Sequence, residues 1–303
     1  MAFALALPLI GMASAGAAAR ADGPAAQAQP HCGTVPTQRS RVTKDSSLTG
    51  IAVTARCNAW AVGWNFTGPL TQTLIEHWNG AKWTQVPSPS PYRPHGDNLL
   101  YGVAATSFRN AWAVGVGAQR PGVSAIRTLT EHWDGTGWMH VSSPTPGGGA
   151  GLNAVAVNSP ADAWAAGWYQ AKNSDVTLIE HWNGKSWTHV PSPNPDTADA
   201  LLTGIAATSA SNSWAVGYSF TPGVTSQSRV TTVIERWNGE SWSLVPSPSP
   251  AGALDSNELT AVAALSGANA WIIGNHAALH IETEPVAEHW SNGWHLMPTP
   301  ILR

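Results

Sequence analysis

The 303-residue sequence predicts an all-β fold assembled from five copies of one four-stranded antiparallel unit. Three observations carry this expectation. The stretch Thr73-Leu-Ile-Glu-His-Trp78-Asn-Gly-Ala-Lys-Trp83-Thr-Gln-Val-Pro87-Ser-Pro89 recurs as Thr128–Pro144, Thr177–Pro193, Thr232–Pro248 and, more loosely, Pro285–Pro300. A second stretch precedes each copy; its first example is Leu48–Val53, a turn, then Asn58-Ala-Trp60-Ala-Val-Gly63. Its tryptophan recurs at Trp60, Trp112, Trp164, Trp214 and Trp271, at spacings of 52, 52, 50 and 57 residues. Apart from Trp64 and Trp168, all 17 tryptophans belong to these two stretches, so the default role of tryptophan in this chain is packing. Self-similarity at a fixed period decides the architecture before any other signal.

Each unit reads as strands a to d. Strand a, Leu48–Val53 in the first unit, is small and apolar, which suits a crowded inner position. Strand b is Ala59–Gly63. Strand c, Thr73–Trp78, is rich in β-branched and aromatic residues. Strand d, Lys82–Pro87, is ended by Pro-Ser-Pro, which cannot continue a hydrogen-bonded ladder. Between c and d sit Asn79-Gly80, Asp134-Gly135, Asn183-Gly184 and Asn238-Gly239, dipeptides that tolerate φ > 0 and close tight hairpins. Short polar turns such as Ser107-Phe-Arg-Asn110 join a to b. Five such units at a period near 50 residues match a five-bladed β-propeller. Radial closure would also remove the exposed edges of so many short strands. The blades span about 48–91, 100–146, 152–195, 202–250 and 259–300 within a single domain over 45–303.

The order Trp60-Ala-Val-Gly63, Glu76-His-Trp78-Asn, Trp83-Thr-Gln-Val-Pro87 resembles the kelch repeat from about Leu48 to Pro300. That family has an aromatic residue and a Gly-Gly pair ending strand b, then a Glu-x-aromatic-Asp stretch, then a tryptophan opening strand d. Two departures separate this chain from the kelch pattern. One glycine of the pair is kept, at Gly63, Gly115, Gly167, Gly217 and Gly274, and the turn between c and d is shorter. The resemblance implies a propeller and carries over no site residues. Some kelch-like propellers are copper radical oxidases with a Tyr–Cys pair; here no Cys lies in a loop beside any of the four tyrosines in that way.

Residues 1–21 read as a secretory signal: Phe3–Ile10 is apolar, small residues follow, and Ala19-Arg-Ala21 offers a cleavage site. The n-region lacks Lys and Arg, and a short Ala-rich helix is the alternative. Residues 22–44 form a linker and N-terminal tether, in which Gly33-Thr-Val-Pro36 resembles the end of a strand d. Export to the extracellular space or cell envelope makes a disulfide between Cys32 and Cys57, the two cysteines, the expected state, with free buried thiols as the alternative. Closing that loop would stabilise by about 3 kcal/mol on the chain-entropy account. Net charge is −3 and 11% of residues are charged, with no basic stripe, which argues against nucleic acid as a partner. No long apolar run follows the N-terminus, so no membrane span is expected in the mature chain. A monomer without cofactor or metal is expected.

The repeated pairs Glu76-His77, Glu131-His132, Glu180-His181, Glu235-Arg236 and Glu288-His289 invite a metal or acid–base reading. Adjacent strand residues point to opposite faces, however, and the pairs obey the repeat, so structural roles are expected, with Glu bonding a neighbouring backbone or indole N–H. Length varies in the b–c loops and d–a links, which emerge on one face, and variable loops on a rigid scaffold are where binding resides. The position after the kept glycine carries Trp64, Val116, Trp168, Tyr218 and Asn275. Trp64, Trp168 and Tyr218 are candidate stacking platforms for a glycan, with packing between blades as the competing role. Tyr92 and Arg93 in the first link and His276 in the last b–c loop complete the candidate set. A binding module for an extracellular glycan or protein surface is the preferred reading. An extracellular glycoside hydrolase or kelch-type oxidase, requiring non-repeated acids or histidines to converge, is the alternative.

Overall fold

The computed structural model describes residues 45–119, 126–172, 174–195, 199–221, 229–248, 256–277 and 283–299. The expected signal segment, the linker and Cys32, and with it the expected bond to Cys57, lie outside the described residues. In the first unit strands a to d are β1 (Ser46–Ala55), β2 (Asn58–Thr67), β3 (Leu70–Trp78) and β4 (Trp83–Val86). The second holds β5 (Gly96–Ser107), β6 (Asn110–Gln119), β7 (Ile126–Trp133) and β8 (Trp138–Val141). The third holds β9 (Ala150–Ser159), β10 (Asp162–Gln170), β11 (Asp175–Trp182) and β12 (Trp187–Val190). The fourth holds β13 (Asp199–Ser209), β14 (Asn212–Thr221), β15 (Arg229–Trp237) and β16 (Trp242–Leu244). The last holds β17 (Ser256–Ser266), β18 (Asn269–Ala277), β19 (Glu284–Trp290) and β20 (Trp294–Leu296). Within every unit the strands pair antiparallel in chain order. The first three units are separate four-stranded sheets; the last two share an eight-stranded sheet through one parallel bridge, Val230 with Ser256.

Strands b and c extend beyond their expected ends. The segment Asn65–Gln72, expected as a loop, continues the β2–β3 ladder through Asn65↔Gln72 and Phe66↔Thr71 and turns only at Gly68-Pro69. The kept glycine has a steric cause. Strand a slips register between Leu48 and Gly50, and a Cβ on Gly63 would sit 1.9 Å from the Ser47 carbonyl oxygen. Gly115 stands in the same relation to Leu99. The first four c–d connections are four-residue loops and the last, 291–293, has three residues; in the first, Gly80 takes φ 94° while the Asn79 carbonyl Oδ1 accepts from the Ala81 and Lys82 amides. Asn and Gly thus divide the work, side-chain cap and left-handed backbone.

Packing lies between units. In the first four units the strand-b tryptophan inserts between the strand-c and strand-d tryptophans of the next: Trp60 against Trp133 and Trp138 at 4.9 and 5.1 Å, Trp112 against Trp182 and Trp187 at 4.8 and 5.0 Å. Trp164 meets Trp237 and Trp242, and Trp214 meets Trp290 and Trp294, in the same way. Such tilted and edge-to-face pairs suit the aromatic quadrupole. Small strand-a residues let the inner strands approach, and hydrogen bonds join them: Thr49 Oγ1 donates to Leu100 O at 2.8 Å, Asn153 Nδ2 to Leu202 O at 2.7 Å, and Thr203 Oγ1 to Leu259 O at 2.7 Å.

Candidate functional site

The repeated Glu-His pairs resolve into two structural devices on opposite strand faces, as alternation requires. Each histidine lies over its own unit's strand-b tryptophan, His77 on Trp60 at 4.4 Å and His181 on Trp164 at 4.3 Å. Its Nε2 reaches the residue that opens strand b: His77 to Asn58 at 2.7 Å, His132 to Asn110 at 2.9 Å, His289 to Asn269 at 3.1 Å, and His181 to the Asp162 carboxylate at 2.8 Å. Asn110 commits its amide N–H to Thr106, so its oxygen accepts and the His132 Nε2–H donates. Burial pulls the His77 imidazole down to about 4, and also lowers that of His132. Where Arg236 replaces histidine, its guanidinium lies 4.8 Å over Trp214 and donates to Gly267 O.

Glu180, Glu235 and Glu288 face the preceding unit. Ser247 in the Pro-Ser-Pro corner after β16 donates to both Glu288 carboxylate oxygens at 2.9 and 3.1 Å. Glu131, Glu180 and Glu235 are fully buried without a hydrogen bond of normal geometry to either carboxylate oxygen. Burial therefore raises all four: Glu131 well above its usual value, Glu180 and Glu235 to about 8, Glu288 to about 7. The Ser143 hydroxyl near Glu180, and those of Thr177 and Ser192 near Glu235, offset part of that rise. A buried carboxyl of this kind is held as the neutral acid. The expected partner was backbone or an indole N–H; the observed one at Glu288 is a serine hydroxyl from the neighbouring unit.

The candidate residues lie on the other theme, the face of the b–c hairpins and d–a links. Trp64 is 9% exposed and meets Tyr101 of the next unit edge-on at 5.9 Å. Trp168 is partly exposed and flanks Gly151, where Val116 of the preceding unit also arrives; a Cβ there would meet both side chains. Tyr218 is partly exposed, and burial together with the nearby Glu258 carboxylate pushes its phenol up. Tyr92 lays its ring over Gly117, where no side chain would fit, and Asn98 Oδ1 accepts its amide N–H at 3.1 Å. Arg93 beside it is exposed, and its amide donates to Ser90 O. His276 Nε2 lies 3.8 Å from the Glu284 carboxylate. Among the described residues, no hydrogen bond or ring contact joins any two of the six. Among the described residues no three of His, Cys, Asp and Glu gather as a metal-ligand set, and no helix is long and apolar enough to cross a membrane.

The sequence could have revealed the His–Asn device, because Asn58, Asn110, Asn212 and Asn269 recur in step with the strand-c residue they serve. It gave no signal for the serine–glutamate contact, whose partners stand 41 residues apart.

No family model matches the chain, and no curated protein matches it. Similar solved structures include the SapL1 lectin in complex with alpha methyl fucoside, at 14% identity and TM-score 0.50, covering 84% of this chain and 81% of that one. Another is YjhT, at 13% identity and TM-score 0.51, covering 82% and 83%. An alpha-L-arabinanase from Penicillium chrysogenum matches at 12% identity and TM-score 0.47, covering 80% and 78%. The similar structures are β-propellers of four-stranded sheets, and the likeness is one of fold.

Proposed function

We propose that the chain is a five-bladed, kelch-like propeller module that binds an extracellular glycan on the face carrying the b–c hairpins and d–a links. The blades are the five four-stranded units, the last two bridged at Val230 and Ser256. The observation that carries the reading is the pair Trp168 and Tyr218, aromatic side chains at equivalent positions of strands β10 and β14, both only partly covered on that face. A partly exposed indole or phenol offers a flat apolar surface with a polar tip, which suits the C–H face of a sugar ring. Tyr92 and exposed Arg93, on the adjoining link, add hydrogen-bonding reach, and His276 does so on the last hairpin. Trp64, nearly covered by Tyr101, serves chiefly as packing. The lectin among the similar structures supports a glycan as the first ligand class to test. Secretion, with a Cys32–Cys57 bond strapping the N-terminal tether to the first blade, belongs to the same proposal.

The test is intrinsic tryptophan fluorescence titrated with alpha-methyl fucoside and with a panel of soluble polysaccharides. A saturable change that Trp168→Ala or Tyr218→Ala removes supports the reading. A flat response across the panel rejects a glycan and leaves a protein surface as the ligand class.

A further inference from the structure

The five units are alike in sequence but not in burial. Trp60, Trp112, Trp164 and Trp214 are all buried in the following unit, whereas Trp271, at the same position of the last unit, is 41% exposed and, among the described residues, its ring meets one other ring, that of His289. Ile273 beside it is 53% exposed, while its equivalents Val62, Val114 and Val216 are buried completely. The first unit shows the converse on its other face. Trp83 is 40% exposed and Leu48 49%, although Trp138, Trp187, Trp242 and Trp294, and likewise Leu100, Leu152, Leu202 and Leu259, are buried. Ile51 is exposed as well.

Polar contacts break at the same place. Thr49 and Thr203 each donate both to their own strand b and to the next unit's strand a. Thr260 shows only the first of these bonds, to Ile273 O, and that bond is open to solvent. Glu76 is partly exposed, while Glu131, Glu180, Glu235 and Glu288 are sealed. The tryptophans and apolar strand residues that build a junction between neighbouring units are thus present at the two ends and exposed. The last unit carries the inserting tryptophan; the first carries the Trp78–Trp83 pair, 5.8 Å apart, that elsewhere receives it.

We propose that a second copy of this chain docks there, its first unit against the last unit of its partner, repeating the internal junction between chains. The occupant follows from complementarity and rigidity. The two exposed faces match each other and no other surface described here, and their chemistry is that of the four internal junctions. Closing the chain on itself would require one or more of those tryptophan-wedged junctions to change angle, and packed interiors do not deform continuously. Docking a copy requires none of them to move. The contact is heterologous, so it builds a closed ring where the rotation allows and a chain of copies where it does not. This departs from the monomer read from the sequence, and it concerns a surface separate from the loop face proposed to bind glycan.

The experiment is sedimentation velocity on the full chain over a concentration series, beside Leu48→Glu and Ile273→Glu. Both sites are half-exposed, so the monomer should tolerate either change. The wild-type chain should assemble with rising concentration, and each variant alone should stay monomeric. An equimolar mixture of the two variants keeps one intact junction and should stop at a species of twice the monomer mass. A wild-type chain monomeric at all concentrations overturns the proposal, whether its ends meet or its N-terminal segment covers them. Assembly that survives both substitutions, or a mixture that stays monomeric, overturns it equally.

Discussion

The repeat provides its own control for a large-to-small substitution. Trp112→Ala empties a site in which the indole is fully buried and touches His132 at 4.4 Å, Trp182 at 4.8 Å and Trp187 at 5.0 Å. Removing a buried tryptophan costs about 3–5 kcal/mol, the transfer term and the residual cavity together. All three neighbours are large rings held by their own strands, so little collapse is available and the upper half of that range is expected. Trp271→Ala makes the same chemical change at the same position of the last unit, where two-fifths of the side chain already meets water and one ring contact is lost. Its cost should be near 1 kcal/mol, closer to a surface change than to a core one. The assay is urea unfolding followed by fluorescence and by circular dichroism, at protein concentrations below any assembly. Both probes are needed because repeat arrays lose two-state behaviour when an end unit melts alone. Equal losses for the two variants would refute the reasoning, since they would mean that Trp271 is enclosed within the monomer.

Three further outcomes follow from the same structure. The buried glutamates carry folded-state values above that of an exposed carboxyl, about 8 for Glu180 and Glu235 and about 7 for Glu288. The folded state therefore holds more protons than the unfolded one between about pH 4.5 and 8, and stability falls as pH rises through that window. Glu180→Gln should flatten part of that slope and raise the unfolding midpoint at pH 8; a slope unchanged by the substitution would contradict a buried neutral acid. Gly115→Ala should cost at least about 2 kcal/mol, because its Cβ would lie 1.9 Å from the Leu99 carbonyl oxygen and strand a must shift; a neutral effect on thermal unfolding would contradict the close approach. Asn110→Ala should cost about 1–3 kcal/mol by stranding His132 Nε2 and the Thr106 hydroxyl, read from the urea midpoint.

Much of this was legible in the sequence, and the limits have physical causes. Strand c and its tryptophans were readable because Glu-x-Trp recurs once in every unit and the turn residues after it have one conformational use. The continuation of β2 and β3 past Gly63 was not, because Trp64-Asn-Phe-Thr67 and its counterparts vary freely and a hairpin extension needs only cross-strand pairing. The opposed faces of Glu and His followed from strand alternation alone, but the serine that meets Glu288 lies in another unit, and no local pattern points to it. For the candidate ligand face, the aromatic positions were visible while their degree of cover was not: Trp64 and Trp168 look equivalent in sequence, and Trp64 is the more covered because Tyr101 of the next unit stands edge-on to it. The unequal ends were invisible for the strongest reason, since Trp271 is written in the same motif as its four buried counterparts.

The claim that ligand meets the b–c and d–a face is tested most directly by isothermal titration calorimetry with whichever glycan first shifts the fluorescence. Trp168→Ala changes that face, and Phe108→Ala changes an exposed aromatic in an a–b turn on the opposite one. The account predicts that affinity falls by about tenfold or more, roughly 1.4 kcal/mol, for Trp168→Ala and stays unchanged for Phe108→Ala. A loss at Phe108 with none at Trp168 would place the ligand on the turn face and contradict it.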